Sequence, residues 1–120
     1  MKNKIKKGSL ILLKEKQVQI KAFNHNFNNN CNMIIYYFDA SCSICYAKIK
    51  DLISKNINQT NETYFIYNTN DSILVFNYLK QFNIVDEGFY SENHISKDVL
   101  SVIPFNKPVI VDSNYNIYEY

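Results

Sequence analysis

Unbroken apolar runs alternate along this chain with stretches in which apolar residues return every third or fourth position. Met33-Ile34-Ile35-Tyr36-Tyr37-Phe38 is apolar, β-branched and aromatic without a polar position. A strand of that kind is covered on both faces, as at the centre of a parallel sheet. Tyr64-Phe65-Ile66-Tyr67 has the same character. Leu10 to Ile20 reads as extended, passing from an apolar run into period-two alternation, and Asn24 to Asn32 reads as a loop. Between the two apolar runs, Asp39-Ala40-Ser41 leads into a helix. Its stripe is Ile44, Cys45, Lys48, Ile49, Leu52, Ile53 and Ile57. Asp71-Ser72 offers an N-cap to a second helix with Ile73, Leu74, Phe76, Leu79, Lys80 and Phe82 on its stripe.

Ile84 to Val102 carries no clear period, apart from a short helix over Asp98 to Val102. Pro108 opens Val109-Ile110-Val111, Asp112-Ser113-Asn114 make a turn, and Tyr115 to Tyr118 return as a hairpin partner. Strands that alternate with helices require parallel crossovers, and the closing hairpin adds an antiparallel edge. The expected fold is therefore α/β, with a mostly parallel central sheet, flanking helices and a C-terminal antiparallel hairpin. A chain of 120 residues builds one core rather than two. It is read as a single domain over 1–120, with a basic lead at 1–9.

Charge changes the picture little. Residues 1–21 hold seven Lys against Glu15, while residues 22–120 are net acidic. The basic end could meet an anionic membrane or nucleic acid, but a solvated tail explains it better. The chain has no Arg, the residue best suited to bidentate phosphate and guanine recognition, so nucleic-acid binding fits poorly. No apolar run approaches the ~20 residues that span a bilayer. The eighteen Asn reflect a compositional bias more than a function.

Cysteine usage carries the chemistry. Cys42-Ser43-Ile44-Cys45 follows a buried strand and opens a helix. A helix N-terminus presents unsatisfied N–H groups and roughly half a positive charge, which favours a thiolate. A thiol there can fall from a pKa of ~8.5 to between about 3.5 and 7.5. At a spacing of three, the second thiol lies one turn along and can close onto the first. Cys42 is the expected nucleophile and Cys45, on the apolar stripe, the resolving thiol. The alternatives are two ordinary buried thiols, or a zinc site. Zinc would need more ligands than Cys31, His25 and His94 supply at their irregular spacing. Those three residues otherwise read as a packing or surface thiol and two solvated imidazoles.

Met33 to Cys45 resembles the strand, loop and C-x-x-C helix of the thioredoxin superfamily. Phe38-Asp39-Ala40-Ser41-Cys42 is similar to the Phe-Trp-Ala-Ser-Trp-Cys run of its bacterial extracytoplasmic, TlpA-like branch, one residue shorter. Tyr64 to Asp71 resembles that branch's strand ending in Asn-x-Asp, and Pro108 to Tyr118 its Pro-led strand and hairpin. Bacteroidetes thioredoxin-like lipoproteins are nearest in texture. The resemblance covers residues 33–118, and its specific part is the C-x-x-C stretch.

It implies a thioredoxin-like fold and exchange between the Cys42–Cys45 dithiol and protein disulfides, as a reductant. A protein electron donor would supply the electrons, with no flavin, nicotinamide or metal. It also implies an extracytoplasmic setting. The family's cis-proline, which faces the disulfide, maps best onto Pro108, with Pro104 its rival and a plain trans turn proline the other reading. Lys107 and Pro108 would then bind substrate, and Lys107 would favour the thiolate if Pro108 faces the site, an exposed surface lysine being the plainer reading. Thioredoxin's buried Asp falls at Tyr36, its buried Lys at Ile66, and its Trp before the first Cys is missing. Those departures keep open a redox-inactive thioredoxin-like binding module.

Overall fold

The computed structural model describes residues 32–56, 61–112 and 116–120. The strand expected over Leu10 to Ile20, the basic lead, His25 and Cys31 lie outside the described residues, as do 113–115 in the expected hairpin turn. The elements run β1 (Met33–Phe38), α1 (Ser43–Asn56), β2 (Glu62–Tyr67), α2 (Ser72–Gln81), β3 (Phe89–Ser91), a 3-10 turn (Glu92–His94), α3 (Lys97–Leu100), β4 (Val109–Val111) and β5 (Ile117–Glu119). They form one mixed sheet of order β3-β2-β1-β4-β5. β1, β2 and β3 are parallel, whereas β4 runs antiparallel to both β1 and β5. The α/β architecture with parallel crossovers and an antiparallel closing hairpin is thus as the pattern requires, and it is compatible with a thioredoxin-like arrangement.

Both faces of the central strands are covered, as their unbroken apolar character demands. On one face Tyr36 and Phe38 of β1 and Phe65 and Tyr67 of β2 pack beneath α1 and α2, against Tyr46, Ile49, Leu52, Val75 and Leu79. On the other, Met33, Ile35, Tyr64 and Ile66 meet Val99, Ile103 and the hairpin residues Val109, Val111 and Ile117. The hairpin is closed by Asp112, whose carboxylate accepts from the Asn116 backbone N–H at 2.9 Å and from its side-chain amide at 3.1 Å.

Two helix faces differ from expectation. Ile44 is 80% exposed, because it lies in the first turn of α1, beyond the sheet that covers Cys45, Ile49 and Leu52. In α2 the buried positions are Val75 and Leu79, joined by Tyr78 and Phe82, while Ile73 and Phe76 face outward. Ile73 to Phe76 are all apolar, so hydrophobicity alone selects no side there. Asp71 does cap α2, its carboxylate accepting from the Leu74 N–H at 3.1 Å.

The aperiodic stretch resolves into β3, the 3-10 turn and α3. The peptide group between Glu87 and Phe89 turns on Gly88, at φ +81°, where an added Cβ would lie 3.1 Å from the Thr63 carbonyl oxygen. Gly88 also accepts the Phe65 N–H at 2.8 Å, which starts the β2–β3 pairing. Among the described residues no helix is long and apolar enough to cross a membrane.

Candidate functional site: the Cys42–Cys45 pair

β1 ends at Phe38, and the chain turns through Asp39-Ala40-Ser41 before α1 begins at Ser43. The Cys42 N–H donates to the Asp39 carbonyl at 3.1 Å, which closes the turn. The Asp39 carboxylate accepts from the Ser41 N–H at 3.0 Å and from its hydroxyl at 2.8 Å. Those bonds, the backbone one first, hold the Asp39 carboxyl below the usual carboxylate range.

Cys42 and Cys45 are brought together at disulfide distance, with Cα atoms 5.3 Å apart. Cys42 stands immediately before the first helical residue, and its sulfur accepts the Cys45 backbone N–H at 3.2 Å. The sulfur thus stands where an N-cap oxygen would, sharing the Cys45 amide with the Cys42 carbonyl, which accepts it at 3.1 Å. The first turn of α1 has no acidic residue to offset the helix dipole. Cys42 is half-buried, Cys45 is 7% exposed, and Ser43 and Ile44 between them are exposed.

Tyr46 supports the pair from below. It is buried, its hydroxyl donates to the Ala40 carbonyl at 2.7 Å, and its ring stacks on Tyr78 with centroids 4.6 Å apart. Burial holds that hydroxyl protonated well above its ordinary range.

Neither Lys107–Pro108 nor Ile103–Pro104 is cis, which corrects the cis-proline expectation. Pro108 instead behaves as a trans proline at the start of a strand, where its missing N–H costs no ladder bond. Its carbonyl accepts from the Tyr120 N–H at 3.3 Å, and Lys107 beside it is exposed. β4 runs antiparallel to β1 with Val109 opposite Ile35, so positions 108, 107 and 106 climb toward the cysteine end of the sheet. The polar contacts at that end are made by Asn106. Its N–H donates to the Tyr37 carbonyl at 2.6 Å, and its side-chain oxygen accepts from the Asp39 N–H at 3.0 Å.

Asn68 makes the matching contact from the β2–α2 loop, accepting from the Ala40 N–H at 2.9 Å. Asn68, Asn106 and Tyr46 carried no mark in the sequence that set them apart from other Asn and Tyr. Beside them Phe105 packs edge-on against Tyr37, whose hydroxyl donates to Glu92. Burial, then that bond and the Glu92 charge, push Tyr37 up to about 12. Among the described residues, no group of three or more His, Cys, Asp or Glu is placed to hold a metal ion. No known protein family matches the chain, and no characterised protein is significantly similar to it.

Placement and burial give an order of reactivity. In the reduced protein at neutral pH, iodoacetamide should label Cys42 before Cys45, with the rate of Cys42 rising at a pH below the ordinary thiol value of ~8.5. Mass mapping of short exposures measures this. Labelling of Cys45 first would reverse the assignment of nucleophile and resolving thiol.

Proposed function

We propose that this protein is a thioredoxin-like thiol–disulfide oxidoreductase that reduces protein disulfides through Cys42 and Cys45. The observation that carries the reading is the Cys42 sulfur at the N-cap of α1, accepting an amide of the first turn. The parallel β1–α1–β2 unit and the antiparallel hairpin support it more loosely.

The exchange balances with the residues at hand. The Cys42 thiolate attacks one sulfur of the substrate; the new S–S bond forms as the substrate's own bond breaks, and the departing thiolate takes a proton from water. Cys45 then gives its proton to solvent or to that leaving group, and attacks Cys42. The substrate leaves as a dithiol, and two electrons have passed to it from the cysteine pair, now a disulfide. A protein dithiol restores the pair. Lys107 and Pro108, just before the strand β4 that pairs with β1, would line the path of the substrate segment.

One observation favours a redox-inactive binding module. Tyr36 and Ile66 are buried where the resemblance puts an acid and a lysine. Burial also raises the Tyr36 hydroxyl above its ordinary value, so it is no base for Cys45 at neutral pH.

Redox titration against dithiothreitol buffers, with mass detection of the pair, separates the readings. Reversible two-electron titration, together with reduction of a protein disulfide faster than free dithiothreitol achieves, is the expected result. A rate no greater than that of free dithiothreitol would leave the binding module.

A further inference from the structure

Four successive amides lead into the nucleophile, and each has a defined acceptor. Ser41 and Cys42 use the carboxylate and carbonyl of Asp39. Asp39 and Ala40 use side chains from elsewhere in the chain, Asn106 at 3.0 Å and Asn68 at 2.9 Å. The Ala40 carbonyl is taken by Tyr46 at 2.7 Å. The turn is thus gripped from three elements, and the sulfur that it presents meets the Cys45 amide at 3.2 Å.

We propose that Asn106 and Asn68 are positioning residues, which fix the Asp39-Ala40-Ser41 turn and so hold the Cys42 sulfur over the first turn of α1. The proposal rests on the exchange reading above. Both residues are suited to the task by chemistry and by place. Their acceptors are neutral amide oxygens, which add no negative charge to that of the Asp39 carboxylate already in the turn. Asn106 adopts φ +62°, a left-handed conformation that Asn tolerates better than other residues with side chains. Its own N–H is tied to the Tyr37 carbonyl and its side chain to the Asp39 N–H, so the two anchors lie two residues apart, at the end of β1 and just past it. Asn68 follows Tyr67, the parallel partner of Phe38, and therefore stands level with Asp39 in the sheet register.

A loosened turn lets the sulfur drift from the amide, and the thiolate loses that bond and part of the dipole field. The test uses the reduced full chain with Asn106→Gly, which keeps the left-handed backbone and removes the acceptor, and with Asn68→Ala. The rate of Cys42 alkylation by iodoacetamide is followed against pH with mass mapping. In each variant the midpoint of the pH–rate profile should move up by as much as about one unit, with slower reaction below that midpoint. The limiting rate at high pH should not fall, because access is unchanged and the more basic thiolate is the better nucleophile.

Asn106→Asp keeps an acceptor and tolerates the same φ, so hydrogen exchange at the Asp39 amide should stay slow in it and quicken in Asn106→Gly. Asn68→Ala acts from a different loop and reads the same quantity if Asn106→Gly does not fold. Unchanged pH profiles in the folded variants would overturn the positioning role. Failure of the unaltered protein to reduce disulfides would instead overturn the exchange reading, and would leave the alkylation comparison standing.

Discussion

With Cys42 replaced by Ser, the proposed reduction of a protein disulfide should fall to the uncatalysed rate, a loss on the order of a thousandfold or more when a nucleophile is removed. Serine keeps the N-cap geometry and can accept the Cys45 amide as sulfur does. The fold should therefore persist and the loss be chemical. Cys45→Ser should behave differently. Its Cys42 remains able to attack, but nothing resolves the product, so the protein accumulates as a mixed disulfide with its substrate. Intact-mass measurement after mixing with a disulfide-containing protein distinguishes the two: an adduct of one substrate mass on Cys45→Ser, and none on Cys42→Ser. Exchange that continues in Cys42→Ser would place the chemistry outside this pair. A stable adduct on Cys42→Ser would assign the attack to Cys45, against the burial that shields it.

The strand–turn–helix unit that carries the Cys42–Cys45 pair is legible in the sequence because its signals are local. A six-residue apolar run, a short polar turn and two thiols at helical spacing say where β1 ends and what α1 presents. Asp71 caps α2 as its residue type suggests, and Val109 to Val111 pair as a short strand. What escaped reading lacks any local mark. β3 is three residues long, too short for a period to declare itself, and it forms because Phe89, Tyr90 and Ser91 find the free edge of β2. The buried side of α2 is chosen by the stack of Tyr78 on Tyr46, a contact between helices that the apolar run Ile73 to Phe76 does not encode.

The same holds at the site. Asn106 and Asn68 reach the approach turn from 67 and 28 residues away in the chain, and in a sequence with eighteen Asn neither stands out. The loop before β4 is equally silent, because nothing in Phe105-Asn106-Lys107 marks Asn106 as the residue that meets Tyr37 and Asp39.

Tyr46 is where fold and site depend on one side chain, so its replacement should cost the most stability. Its ring is fully buried between α1, α2 and β1, stacked on Tyr78 and edge-on to Phe38 at 5.3 Å. Truncation to Ala removes a large core ring and leaves a cavity, which costs about 3–5 kcal/mol for aromatic residues. Small domains are stable by only about 5–15 kcal/mol in all, so Tyr46→Ala should stand near the edge of folding.

Tyr46→Phe separates the two contributions. It keeps the stacked ring but removes the hydroxyl, leaving the Ala40 carbonyl without its 2.7 Å partner in a buried setting. An orphaned buried acceptor costs about 1–3 kcal/mol. Urea unfolding should therefore rank the proteins as unaltered, then Tyr46→Phe, then Tyr46→Ala, with the midpoint moving and the slope constant in each. The Phe variant carries the sharper test, because its loss falls on the turn that precedes Cys42 and not on the packing. Its midpoint should drop while the aromatic core keeps its near-ultraviolet dichroism. A Tyr46→Phe midpoint equal to that of the unaltered protein would mean that the hydroxyl contributes nothing to the turn, and that packing alone seats α1 beneath the cysteine pair.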